Sequence, residues 1–257
     1  MNYKVLFKVA MLAGEIMAQS GAETFRVEDT MNRLLRISKL QSVEVYATTT
    51  GIVASLSDPS IEPISGVIRL SNRANNLSHI HDVNQISRNI CEDKITAEEA
   101  LEQLTRVRND KPYSKQVIAL ATIVSMVGFV GLFGGTMVDC TVAAVNGLLI
   151  IFINRFTANL VENTFMSDAV KSFFIAFAAM LSTLLPYEVS KDLIIIGSIM
   201  PLVPGVPITN AIRDTLQGDY MSGTARAVEA FVISLGIAMG VAAGLGLFNV
   251  FERMVGL

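Results

Sequence analysis

Long uncharged runs dominate the second part of the chain. After Lys115 the charged residues delimit five such runs, at residues 116–138, 140–154, 172–187, 193–212 and 230–251. A membrane helix needs about 20 mostly apolar residues, so the first and last runs suffice alone and the others suffice once their interfacial ends are included. A soluble helical bundle is the alternative, but soluble helices normally carry charges along one face. The pattern therefore predicts five transmembrane helices.

The first part of the chain has the mixed pattern of a small folded domain. Val5, Val9, Leu12 and Ile16 recur at helical spacing, which predicts an amphipathic helix and not a cleaved signal. Period-two alternation and turn residues predict three strands, and the spacing of Thr96 and Glu99 predicts a capping box. The predicted elements are helices at 3–19 and 24–38, strands at 42–50, 51–57 and 64–71, and helices at 76–91 and 97–109. This ααβββαα order predicts an α+β domain with one three-stranded sheet.

The charge distribution separates the two parts. Residues 1–115 hold 28 charged side chains that balance to zero, whereas the other 142 residues hold 15 with a net charge of −3. We therefore expect an α+β domain at 1–113 and a transmembrane domain at 114–257. Basic residues concentrate on the side of a membrane that faces the cytoplasm, which predicts a cytoplasmic N-terminal domain. The absence of a basic excess argues against a nucleic-acid partner.

The sequence carries no catalytic signature. It has no Walker-type loop, no Gly-rich dinucleotide turn, no HExxH and no GxSxG, and an intramembrane enzyme would need a nucleophile–base or metal-ligand set that is missing. His79 and His81 are two residues apart, so on a helix their side chains diverge, and metal binding is the less favoured interpretation. We expect no enzyme activity, no cofactor and no metal.

The fourth apolar run is interrupted by prolines. Residues 193–203 can be helical, but Pro204-Gly205-Val206-Pro207 cannot continue a regular helix, because two backbone donors are missing and glycine is permissive. A second helix is predicted at 208–217. Two half-helices of about 15 Å fill a hydrocarbon core of about 30 Å, which predicts a break near the bilayer midplane.

A break at that depth predicts a binding site. Irregular backbone inside a membrane is tolerated only where it is buried in protein or lines a wet cavity. Free N–H groups at the start of the second half-helix favour an anion such as a carboxylate, an arrangement that secondary transporters use. A proline kink filled by neighbouring helices is the alternative. The predicted substrate-binding residues are Pro204, Gly205, Pro207, Ile208, Thr209 and Asn210.

Charged residues in or near the spans are candidates for coupling or gating, since ionisable groups at membrane depth usually face the protein interior. These candidates are Asp139, Arg213, Asp214 and Glu229. Asp139 lies close to the preceding turn, so an interfacial position is equally compatible, and Asn146 follows two turns further in. A structural ion pair of Arg213 or Arg226 with Asp214 or Glu229 is the alternative to a proton relay.

Glycines recur at every fourth position of the last span, at Gly236, Gly240 and Gly244. Such a stripe lets another helix approach closely, either inside the protein or in another subunit. Because five spans are few for a transporter, we expect an assembly.

Three segments resemble the threonine/serine exporter (ThrE-like) family, and particularly its split, YjjP-like larger subunits. They are GEIMAQSGAETFRVEDTMNRL at 14–34, LFGGTMVD at 132–139 and MPLVPGVPITNAIRDTLQGDYMSGTARAVE at 200–229. The resemblance implies a cytoplasmic N-terminal domain and a membrane domain in the bacterial inner membrane that exports threonine, serine or succinate. It also implies a separate small membrane subunit, and it marks residues 204–210, Arg213 and Asp214 as site candidates.

Two functional hypotheses follow. The first is a membrane subunit of a secondary exporter of small carboxylate-bearing metabolites, with the carboxylate at the half-helix N-terminus. The second is a membrane-anchored ligand sensor or scaffold without transport activity.

Overall fold

A computed structural model describes residues 2–71, 74–110, 113–157 and 164–256. Within these ranges the chain forms ten helices, one sheet and a short 3₁₀ turn. In chain order they are α1 (Tyr3–Gln19), α2 (Thr24–Arg36), β1 (Ser42–Ala47), β2 (Gly51–Asp58), β3 (Ile61–Arg69), α3 (Leu77–Cys91), α4 (Ala97–Asn109), α5 (Lys115–Leu132), α6 (Met137–Thr157), α7 (Thr164–Ser182), α8 (Lys191–Ile199), the 3₁₀ turn (Met200–Leu202), α9 (Gly205–Leu216) and α10 (Tyr220–Val255).

The chain divides into two compact units. The first, called here the N-terminal unit, comprises Met1–Pro112 together with Gly205–Val228. The second, the membrane unit, comprises Tyr113–Pro204 and Glu229–Leu257. Helix α9 and the first turns of α10 therefore cluster with the residues of the α+β domain.

The three predicted strands form one antiparallel sheet in the order β1-β2-β3, as the alternation predicted. Val45 lies opposite Ala54, and Ala54 lies opposite Gly66 on β3. Ile52, Ala54 and Leu56 of the central strand are buried, whereas Val53 between them is exposed. The sheet thus buries one face, which is what period-two alternation requires.

The helices of the N-terminal unit bury the apolar face of the sheet. Helix α1 supplies much of this core, because Leu6, Val9 and Met17 along its length are fully buried. Helix α4 begins with the predicted capping box: the Thr96 side chain accepts from the Glu99 N–H, and the Glu99 carboxylate accepts from the Thr96 N–H. The two bonds satisfy donors that a helix start leaves free.

The described residues of the membrane unit form helices and the turns between them. Four helices are long and apolar enough to cross a membrane. They are α5, α6 as far as Arg155, α7 starting at Phe165, and α10. The segments Lys191–Leu202 and Gly205–Leu216 meet the same criteria only as a pair, and the helix axis turns by 59° at the break between them. The fourth apolar run is therefore interrupted, as the prolines predicted.

Two predicted helix boundaries are wrong. Helix α9 begins at Gly205 and not at Ile208, because proline is tolerated in the first helical turn, where an N–H has no partner to lose. Helix α10 begins at Tyr220, ten residues before the predicted span, and has 36 residues. At 1.5 Å per residue it measures about 54 Å, against about 30 Å for a hydrocarbon core.

Candidate functional site

The start of α9 contains the predicted binding turn. Pro204 precedes the helix and Pro207 is its third residue, so neither offers a backbone donor. The first four N–H groups of a helix have no partner within it. Gly205 and Val206 are consequently the two residues of the first turn whose N–H groups remain available to a ligand.

The sequence placed the start of this helix at Ile208, which assigned the free N–H groups to Ile208, Thr209 and Asn210. Ile208, Thr209 and Asn210 are the fourth to sixth residues of α9, where backbone N–H groups point to carbonyls of the preceding turn. The exposed Thr209 hydroxyl donates to the Gly205 carbonyl, 2.8 Å away. This part of the prediction failed because it placed the helix start after Pro207.

The turn between α1 and α2 accepts two side chains from the α9–α10 region. Gly21 adopts φ +82°, and the N–H groups of Gly21 and Ala22 close a Schellman motif onto the carbonyls of Ala18 and Met17. The carbonyls of Gly21 and Ala22 can then accept hydrogen bonds from side chains. Asn210 donates to the Gly21 carbonyl at 2.8 Å, and Arg226 donates to the Ala22 carbonyl at 2.8 Å.

Asp214 on α9 caps the start of helix α2. The N-cap residue of α2, Glu23, makes no capping bond with its own side chain. The fully buried Asp214 carboxylate accepts instead from the Thr24 N–H at 3.0 Å and from the Thr24 hydroxyl at 3.2 Å. It also pairs with the Arg226 Nε at 3.0 Å. A negative charge at a helix N-terminus is favoured by the free N–H groups and by the helix dipole.

Four consecutive residues thus each contact one partner from α9 or α10, since Arg213 pairs with the Glu23 carboxylate. We call this set the turn cluster: Gly21, Ala22, Glu23 and Thr24 with Asn210, Arg213, Asp214 and Arg226. Two of the sequence segments that carried the family resemblance, 14–34 and 200–229, meet here. The sequence alone proposed an Arg226–Asp214 pair among several alternatives and offered no signal for the α1–α2 turn.

Two further carboxyls lie near the turn cluster. Burial raises the pKa of Glu28, and the negative charge of Asp219 raises it further. The hydrogen bond from the Ala47 N–H to the Glu28 carboxylate lowers this pKa in part. Burial likewise raises the pKa of Asp219, helped by the neighbouring charge of Asp214.

Asp139 has a structural position at the start of α6. Its carboxylate accepts from the Thr136 N–H at 2.8 Å, and the Thr136 hydroxyl accepts from the Asp139 N–H at 3.2 Å. This is a capping box with aspartate in place of glutamate. The other carboxylate oxygen accepts from the Ser190 N–H at 2.8 Å, directly before α8. Its part in coupling stays a prediction, as does that of Glu229, which is exposed on α10.

A polar pair lies among the helices of the membrane unit. Asn146 on α6 donates to the Ser198 hydroxyl on α8 at 3.1 Å, and both side chains are fully buried. The Asn146 Oδ1 atom has no hydrogen-bond partner among the described residues.

The glycine stripe of α10 packs inside the chain. A Cβ atom at Gly236 would come within 2.8 Å of the Phe165 ring, at Gly240 within 2.1 Å of the Ala169 carbonyl oxygen, and at Gly244 within 2.5 Å of the Phe173 carbonyl oxygen. The stripe therefore serves close packing of α10 on α7.

Among the described residues no group of three or more His, Cys, Asp or Glu side chains is placed to hold a metal ion.

Comparison with known proteins identifies relatives over most of the chain. A family model described as "Putative threonine/serine exporter" matches residues 8–248. The "Probable threonine/serine exporter" of Mycobacterium tuberculosis is 24% identical over 93% of this chain and 45% of its own length. The "Probable succinate transporter subunit YjjP" of Escherichia coli is 23% identical over 96% of both chains.

Other relatives are longer. The "Pheromone-regulated membrane protein 10" of Pichia sorbitophila is 26% identical over 89% of this chain and 23% of its own length. The chain thus spans less than half the length of the mycobacterial and yeast relatives. No solved structure matches the chain.

Proposed function

The chain belongs to the threonine/serine exporter family, and from this premise we propose that it is the membrane subunit of a secondary exporter of small carboxylate-bearing metabolites. Threonine, serine and succinate are the candidate substrates, because relatives are named as exporters of the first two and as a transporter subunit for the third. The same names favour transport over the sensor or scaffold hypothesis.

A second membrane subunit completes the exporter. The Escherichia coli relative, which matches over 96% of both chains, is named a transporter subunit. We propose a separate small membrane protein as the second subunit. The complex lies in the bacterial inner membrane with the N-terminal domain in the cytoplasm. The basic residues near the span ends support this orientation.

The substrate carboxylate binds at the start of α9. The interrupted apolar run carries this proposal: α9 starts at a break in an apolar segment, where the N–H groups of Gly205 and Val206 are available. An anion there gains both hydrogen bonds and the favourable end of the helix dipole. Pro204 and Pro207 shape the turn. Thr209 and Asn210 stay predicted side-chain ligands of the carboxylate site.

The turn cluster couples α9 to the α1–α2 turn. Asn210, Arg213 and Asp214 extend from α9 and hold three of the four consecutive residues 21–24. Because the contacts are polar and include a buried ion pair, α9 cannot shift without breaking or carrying the α1–α2 turn. We assign Arg213 and Asp214 to gating on this ground.

Gly205 allows a sharp test of the carboxylate site. Gly205→Pro removes one of the two available donors at a position where proline suits the helix, whereas Gly205→Ala keeps the donor. A Cβ atom at Gly205 meets no atom within 4 Å, so the control is sterically neutral. A hydrogen bond to a charged group contributes about 1.5–3 kcal/mol. We therefore expect export by Gly205→Pro to fall about 10- to 100-fold.

The assay is efflux of labelled threonine, serine and succinate from cells or proteoliposomes, with and without the partner subunit. Equal export by Gly205→Pro and Gly205→Ala would refute the carboxylate site. Thr209→Ala and Asn210→Ala with wild-type export would remove those side chains from it. No efflux of any of the three substrates in the presence of the partner would refute the proposed function.

A further inference from the structure

The buried amide of Asn146 is an unexplained polar group in the membrane unit. It lies on α6 between Ala143 and Ile150, both buried in the apolar cluster that also contains Met126 and Val130 of α5. Burying a polar group without a hydrogen bond is unfavourable, so buried polar atoms are almost always paired. Asn146 has one such bond, to Ser198, and its Oδ1 has none among the described residues.

The unpaired end of the amide is its oxygen. The nitrogen donates to the Ser198 hydroxyl, which leaves Oδ1 as the end without a partner among the described residues. Ser198 provides a single polar side-chain atom, and the buried Ala143 and Ile150 on the same helix as Asn146 are apolar. The amide oxygen therefore has no donor among the described residues and is left for a ligand.

The position of the pair fits a ligand of the transport path. Asn146 is the tenth of the 21 residues of α6, so about 14 Å of helix precedes it and about 17 Å follows. Ser198 is the eighth residue of α8, two residues before the 3₁₀ turn that ends the regular helix. Because Pro201 has no N–H, the Gly197 carbonyl on the peptide before Ser198 has no α-helical donor.

We propose that Asn146 and Ser198 form a binding site for a hydrogen-bond-donating group of the transported molecule, an ammonium or a hydroxyl. The acceptor at Oδ1 selects this chemistry, since a dicarboxylate at neutral pH offers acceptors alone. The site is closed in this conformation, so the ligand reaches it when α6 and α8 separate. The proposal rests on the proposed transport function, but its binding can be measured without transport.

The test uses purified protein with its partner subunit and follows thermal unfolding with L-threonine, L-serine or succinate. Asn146→Leu keeps the approximate volume and removes the amide. We expect its affinity for threonine and serine to fall about 10- to 100-fold, the value of one hydrogen bond to a charged group. The response to succinate should not change. Without ligand the variant should unfold at the same or a higher temperature than the wild type, because an unpaired buried group is gone.

A purely structural pair gives the opposite pattern. If Asn146 merely joins α6 to α8, Asn146→Leu unfolds at a lower temperature and binds the amino acids as the wild type does, and the proposal is overturned. Equal loss of the threonine and succinate responses overturns it as well. If Asn146→Leu does not fold, Asn146→Ala removes the same amide without a branched side chain and carries the same binding expectation.

Two serines provide a matched control. Ser172 is as buried as Ser198, but its hydroxyl donates to the Asp168 carbonyl within its own helix. We expect Ser198→Ala to weaken threonine binding and Ser172→Ala to leave it unchanged; equal effects would overturn the assignment. If the wild type exports none of the substrates, the proposed function fails. A selective threonine response that Asn146→Leu abolishes would still support the site.

Discussion

Replacing Asp214 with alanine is expected to loosen the first turn of α2, although Asp214 lies 190 residues further along the chain. The substitution removes an acceptor from the Thr24 N–H and hydroxyl, and it removes the carboxylate that faces the buried Arg226. Breaking a buried ion pair by deleting one partner costs about 3–5 kcal/mol. The capping bond, worth about 1 kcal/mol alone, is part of the same network and does not add in full.

Hydrogen exchange followed by mass spectrometry measures this local cost, because amide exchange reports the free energy of opening. A loss of about 3–5 kcal/mol corresponds to exchange about 10² to 5 × 10³ times faster in the first turn of α2 and in α9. Asp214→Asn should fall between alanine and the wild type, since it keeps an acceptor for Thr24 but loses the charge.

Glu102→Ala is the control for this prediction. Its partner is Arg106 on the same helix, both side chains are exposed, and such a surface pair is worth at most about 1 kcal/mol. If Asp214→Ala changes exchange in α2 no more than Glu102→Ala does, then Asp214 does not cap α2 in the protein and the coupling assigned to the turn cluster fails.

Three further predictions concern other parts of the chain. Gly240→Ala would place a Cβ 2.1 Å from a backbone carbonyl oxygen and should destabilise the protein by about 1–3 kcal/mol in thermal unfolding. Gly246→Ala on the same helix, where a Cβ meets no atom within 4 Å, should not destabilise it. Equal effects of the two substitutions would contradict the packing of α10 on α7. Burial raises the pKa of Glu28, so its ionised form opposes folding, and the wild type should gain this stability as the pH falls through the raised pKa. Glu28→Gln should therefore unfold at a higher temperature than the wild type near neutral pH, and the difference should vanish in acid; a constant difference would contradict the assignment. Asp139→Asn keeps an acceptor for the start of α6, so transport should persist if Asp139 is structural, and loss of efflux by a variant that unfolds at the wild-type temperature would assign it to coupling instead.

Local patterns were sufficient for most of the secondary structure. Uncharged runs predicted the membrane helices, alternation at residues 42–57 predicted two strands, and the spacing of Thr96 and Glu99 predicted a capping box that the structure contains. These features succeed because each depends on neighbours within a few residues. The prolines likewise predicted an interruption, since a missing N–H acts on its own helix.

Tertiary structure decided which distant groups meet. The sequence marked Asp214 as a candidate without indicating that it caps α2, because a free helix N–H accepts any nearby carboxylate and the local sequence does not name it. The glycines of α10 showed that some helix approaches closely, and only the packing identified α7. The buried amide of Asn146 has the same origin: a polar residue in an apolar run predicts that something polar faces it, but its partner, or the absence of one, depends on how the helices assemble.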